Sequence, residues 1–82
     1  MNIENLRDQI DKIDDEILNL FLKRLSLCVK IGEEKKFLGL AVKDLKREEK
    51  ILEKVKIAAG ENSQAASRLF KIIIDICSDT QY

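Results

Sequence analysis

Eighty-two residues are enough for one small domain, and a chain this short buries only about 60 to 65% of the surface it exposes when unfolded. Fifteen Lys and Arg balance fifteen Asp and Glu, interspersed along the chain, which excludes the net basic face of a nucleic-acid binder. The 37% of charged residues, the absence of proline and the abundance of Leu, Ile, Lys and Glu are the composition of amphipathic helices.

The N-terminal run MNIENLRDQIDKIDDE is charged from residue 4 onward and lacks the apolar stretch of a signal peptide or a membrane span, so a cytoplasmic location is expected. Apolar positions then recur as Ile3, Leu6, Ile10, Ile13, Ile17, Leu20, Leu27 and Ile31, an alternation of threes and fours that predicts one helix from about residue 2 to 37. Gly32 is its weak point, but one glycine costs roughly 1 kcal/mol, too little to break the run. About 35 residues make a rod of about 50 Å, whereas a compact monomer of this length has a radius of gyration of roughly 12 Å. A second chain is therefore expected to cover the remainder. A turn is expected at Leu38 to Val42, followed by Asp44 as N-cap of a second helix, about 44–59, carrying Leu45, Ile51, Leu52, Val55 and Ala59. Gly60 ends it, the loop Glu61, Asn62 follows, and Ser63 caps a third helix, about 63–81, through Leu69, Phe70, Ile73, Ile74 and Cys77. The prediction is an all-α single domain spanning residues 1–82, with no internal repeat or linker. Cys28 and Cys77 lie in apolar helical runs without paired spacing, and the chain has no histidine. Reduced core thiols are expected, with neither a disulfide staple nor a metal site.

Polar residues on apolar stripes carry the functional signal, because an unpaired buried charge is expensive. At about 100° per residue, Arg24 falls mid-stripe among Ile13, Ile17, Leu20, Cys28 and Ile31, and Lys35, eleven residues on, points within about 20° of it. Glu48 lies among the apolar residues of the second helix, and Gln81 follows Phe70, Ile74 and Cys77 on the third. Singly, each is equally well read as a snorkelling stem or one half of a buried ion pair such as Arg24 with Glu48. Together, two cations, an amide and one carboxylate describe a donor-rich pocket for a small anion. The sequence offers no obvious nucleophile–base pair, so the chemistry expected of such a pocket is electrostatic stabilisation and the holding of a reactive conformer.

The run LRDQIDKIDDEIL, the Arg of FLKRLSL, the IGEEK segment, GLAVKDLKREEKIL and RLFKIIIDICSDTQ resemble the all-helical, AroQ-type chorismate mutases from end to end. The specific element is the spacing: an Arg, a Lys eleven residues later, and D-x-x-R-E beginning nine residues after that. The resemblance implies three helices per chain, an intertwined homodimer with active sites shared between chains, and a cofactor-free intramolecular [3,3] rearrangement of chorismate to prephenate. It further implies that Arg24 binds one substrate carboxylate and Arg7, from the opposite chain, the other. Lys35 and Gln81 would donate to the ether oxygen, and Glu48 would accept the substrate hydroxyl. Asp44 would cap the second helix beside the pocket, with Arg47 an ion-pair organiser. The helical wheel alone places Arg7 at the edge of the stripe, in line with Asp11 and Asp14, as a surface i, i+4 ion pair. One position departs from the family: Cys77 stands where well-known members have a serine touching a carboxylate, and either the contact is weakened or the neighbouring Ser78 compensates; Ser78 is turned about 100° away, which favours the first, and the thiol can also simply pack as a small hydrophobe. Two other readings remain, an isochorismate-pyruvate lyase of the same fold and a non-catalytic dimerisation module. The ending at Gln81–Tyr82 is compatible with a free-standing enzyme or with the mutase portion of a longer polypeptide.

Overall fold

A computed structural model describes residues 2–82 as helix throughout, apart from the loop after the first helix and the two ends. Helix α1 (Ile3–Leu38) starts where the Asn5 N–H donates to Asn2 Oδ1 at 2.7 Å, the side-chain cap that an Asn at this position supplies. It runs unbroken through Gly32 and stops at Gly39, whose φ of 70° is the left-handed conformation that glycine adopts without cost. Lys35 and Lys36 in its last turn complement the negative end of the helix dipole. Helix α2 (Leu45–Ala59) opens at Asp44, whose Oδ1 accepts from the Arg47 N–H at 3.1 Å, as expected of the predicted cap.

Beyond Ala59 the expectation of a loop is corrected. Gly60–Asn62 form a 3-10 turn that leads directly into α3 (Ser63–Asp79), so helical backbone extends from Leu45 to Asp79 without a break. The chain thus has two helical stretches separated by one loop, the second bent at Gly60, where φ is 55°, into the segments α2 and α3. Ser63 is the first residue inside α3 and provides no side-chain cap, because the turn's carbonyls already receive the N–H groups a cap would satisfy. At the other end α3 stops at Asp79, short of Gln81. Gln81 lies in a terminal turn closed by its N–H donating to the Ser78 carbonyl at 3.0 Å.

The bend folds α3 back along α2, bringing Ile51 and Val55 of α2 and Phe70 of α3 around one apolar groove, with Ile74 buried nearby. Helix α1 has much less of its own chain to lie on. Its apolar residues Ile10, Ile13, Ile17, Leu20, Leu27 and Ile31 are 49–64% exposed, and only Cys28 and Gly32 of the helix are buried. The radius of gyration is 15.9 Å and the longest dimension 55 Å, the length of α1, against about 12 Å for a compact chain of this size. The accessible surface of 7017 Å² likewise exceeds the roughly 5,000 Å² normal for a folded monomer of this mass. No described helix is long and apolar enough to cross a membrane.

The largest correction concerns the cysteines. Cys28 on α1 and Cys77 on α3 are joined in a disulfide, with Cα atoms 5.4 Å apart and a sequence separation of 49. They are not free thiols, and the chain does carry a staple. Nothing in their spacing announced it, because the pairing arises from two helical faces that meet only in the folded chain.

Candidate active site

Where the last turn of α3, the start of α2 and the second half of α1 converge, one small pocket is lined by Arg24 and Lys35 from α1, Val42 and Asp44 from the loop, Arg47, Glu48 and Ile51 from α2, and Ile74, Cys77, Ser78 and Gln81 from the C-terminal segment. Seven of the eight residues singled out in the sequence meet there: Arg24, Lys35, Asp44, Arg47, Glu48, Cys77 and Gln81. The exception is Arg7, whose side chain is 69% exposed and pairs with Glu4 at 3.6 Å, one turn away, rather than with Asp11. Seventeen residues of helix put Arg7 about 25 Å from Arg24. It cannot serve the pocket of its own chain.

Lys35 is aimed by the loop, its Nζ donating to the Val42 carbonyl at 2.7 Å, which leaves two of its three protons for a guest. Arg24 is half-buried and its Nη1 lies 3.6 Å from Cys28 Sγ, leaving most of the guanidinium fork uncommitted. The ion pair with Glu48, kept open as an alternative for Arg24, does not form. Glu48 pairs instead with Lys43, whose Nζ is 3.2 Å from each carboxylate oxygen, hydrogen-bonded to Oε1 only. Glu48 Oε2 is buried without a hydrogen-bond partner, and so is Oε1 of Gln81. Buried polar atoms are nearly always paired; Glu48 Oε2 has only its ion pair with Lys43 and Gln81 Oε1 has no partner, so both keep acceptor capacity for a guest. Gln81 is 6% exposed although it is the penultimate residue, and its Nε2 reaches Cys77 Sγ at 3.5 Å.

Arg47 is exposed and makes no ion pair among the described residues, so it does not organise its neighbours as expected. It lines the pocket and also, with Arg24 and Ile51, the apolar groove of about 720 Å³ between α2 and α3. The small pocket itself holds about 70 Å³, space for about two waters. Cys77, being disulfide-bonded, has no S–H to donate, while Ser78 does line the pocket. Sequence reasoning missed Val42, Lys43, Cys28 and Gly32 as supports of this site. For the last two a signal existed, since Cys28, Gly32 and Lys35 fall on one helical face.

Comparison with known proteins places the chain in a family. Residues 6–82 match the family described as chorismate mutase type II, and the chain belongs to that family, a family of isomerases. It is 30% identical over 76 residues to the chorismate mutase of Methanocaldococcus jannaschii, covering 89% of this chain and 77% of that protein. A bifunctional chorismate mutase/prephenate dehydratase of Buchnera aphidicola is 35% identical over 79 residues, but this chain, 92% covered, spans only 20% of that protein. A solved structure of a conserved hypothetical protein from Pyrococcus furiosus superposes with a TM-score of 0.77 at 39% identity, over 98% of this chain and 95% of that one.

Proposed function

We propose that this chain is a chorismate mutase that converts chorismate to prephenate as a homodimer, without covalent intermediates or cofactor. The observation that carries the reading is the convergence of Arg24, Lys35, Glu48 and Gln81 on one pocket, with buried acceptor atoms on Glu48 and Gln81 that make no hydrogen bond. Chorismate is a dianion with a hydroxyl and an enol-ether oxygen. Arg24 takes one carboxylate as a bidentate partner, Glu48 Oε2 accepts the hydroxyl, and Lys35 and Gln81 donate to the ether oxygen as the C–O bond breaks and negative charge grows on it. Donors fixed where charge develops lower the barrier without reorganising at the moment of reaction, each contributing about 3 to 4 kcal/mol. Confinement of the flexible substrate in its reactive conformer supplies the remainder. At about 70 Å³ the pocket must widen to admit this guest.

A second copy supplies the other carboxylate's partner and covers α1. Each chain exposes about 2,000 Å² more than a compact monomer of its mass, so a pair burying that surplus from both sides reaches the 2,000–5,000 Å² of obligate dimers. Arg7 and Arg24 lie equally far, about 13 Å, on either side of Asp15 and Glu16. A twofold axis crossing α1 at that midpoint would set the partner's Arg7 opposite Arg24 at each end of an antiparallel helix pair.

The test is loss of chorismate absorbance by the purified protein in buffer containing a chelator, with the product identified by chromatography. Prephenate is expected from the wild type, with turnover lost in Lys35→Ala and Arg24→Leu while both still assemble. Turnover of isochorismate to pyruvate alone would assign the pocket to a lyase. Undiminished turnover in Arg24→Leu would overturn the role given to Arg24.

A further inference from the structure

The turn that carries Gln81 is held onto α1 by two contacts one helical turn apart. Cys77 is bonded to Cys28. Four residues further along both segments, Gln81 sits against Gly32, where an added Cβ would fall 2.9 Å from Gln81 Cγ and 3.0 Å from its Cα. The two sulfurs also touch the site directly, Cys28 Sγ facing Arg24 Nη1 at 3.6 Å and Cys77 Sγ facing Gln81 Nε2 at 3.5 Å. Together these contacts bury the turn that carries Gln81, which is 6% exposed.

We infer that the Cys28–Cys77 disulfide is a redox latch that positions Gln81, and that a dithiol reductant lowers turnover by releasing the terminal turn from Gly32. The inference rests on the mutase reading for its kinetic consequence and on geometry alone for the release. In the step itself, one thiolate of the dithiol attacks Cys77 Sγ, since Cys77 is the less buried residue of the pair and Cys28 is 3% exposed. The S–S bond breaks and Cys28 leaves as a thiolate that takes a proton. The second thiol of the reductant then displaces Cys77 from the mixed disulfide, so two electrons and two protons pass to the cysteines and the reductant leaves as its cyclic disulfide. Gln81 acts on the transition state, so the loss falls on kcat and much less on KM.

The experiment compares oxidised and dithiothreitol-reduced protein, with thiols counted by a chromogenic disulfide reagent under denaturing conditions. Zero thiols are expected before reduction and two after. On reduction kcat should fall about tenfold with KM within about twofold, bounded by the 10²- to 10³-fold expected of Gln81→Ala. In the Gln81→Ala background reduction should change nothing further, since both perturbations act through one side chain. A Cys28→Ala, Cys77→Ala double variant should match the reduced wild type and ignore dithiothreitol. Hydrogen exchange of residues 78–82 should rise on reduction, and this readout holds whether or not chorismate is the substrate. Two free thiols before reduction, exchange in the turn indifferent to redox state, or a reduced enzyme with undiminished kcat would each overturn the latch. Absence of turnover in both redox states with the exchange difference intact would instead count against the mutase reading.

Discussion

Replacing Gly32 with alanine sets two effects of known size against each other. In the interior of α1 the change favours the helix by about 1 kcal/mol, because alanine loses less backbone freedom. The new Cβ, however, would lie 2.9 Å from Gln81 Cγ, 3.0 Å from its Cα and 3.1 Å from its Cβ, where ordinary contact begins near 3.4 Å. Two of these atoms belong to or adjoin the backbone, so a rotamer change cannot relieve the clash, and the turn must retreat by about half an ångström while the disulfide resists. A misplacement of 1 Å typically costs about 10²-fold in rate, so kcat should fall about tenfold with KM nearly unchanged. The melting temperature, where helix gain and clash offset each other, should move by no more than a few degrees. Steady-state kinetics on chorismate beside a thermal melt makes the comparison. A Gly32→Ala enzyme with wild-type kcat and a protected terminal turn would refute the view that Gly32 exists to seat Gln81.

Three other outcomes are expected. Arg7→Ala and Arg24→Ala homodimers should each be nearly inactive, yet mixing them after co-refolding should restore about a quarter of wild-type turnover, since half the dimers are mixed and each carries one intact site; no recovery in verified heterodimers would refute a shared site. Ile17→Asp, which puts a charge on the exposed stripe of α1, should shift the chain to a monomer with much reduced helicity by sedimentation and circular dichroism. Asp44→Ala removes the bond from the Arg47 N–H and should cost about 1 kcal/mol of stability in denaturant titration.

The parts of the site that follow from one helix were legible in the sequence. Arg24 and Lys35 share a face because eleven residues make three turns, and Glu48 declared itself by standing among leucines and isoleucines. Asp44 was readable as a cap because its chemistry is local. What could not be read depends on contacts between distant segments. The wheel placed Cys28 and Cys77 inside but could not say that they face each other, and Gly32 looked like a tolerated weakness rather than a seat. The joint at Gly60–Asn62 looked like a loop because Gly, Glu and Asn suit one, whereas the backbone needed only one tightened turn to change direction. On the proposed pairing, Arg7 is illegible in a single chain for a plainer reason: the pocket it serves is on another molecule.

The exposed length of α1 also bears on how the protein reaches its fold. The α2–α3 hairpin packs on local contacts and can form within one chain, but most of the apolar face of α1 finds no cover there. On the proposed pairing, the rod acquires its environment only by collision with another rod, which makes the final folding step second order. Refolding should accelerate with protein concentration, and the denaturation midpoint should climb as the solution is made more concentrated. A cell making little of this protein would therefore hold it less stably than one making much.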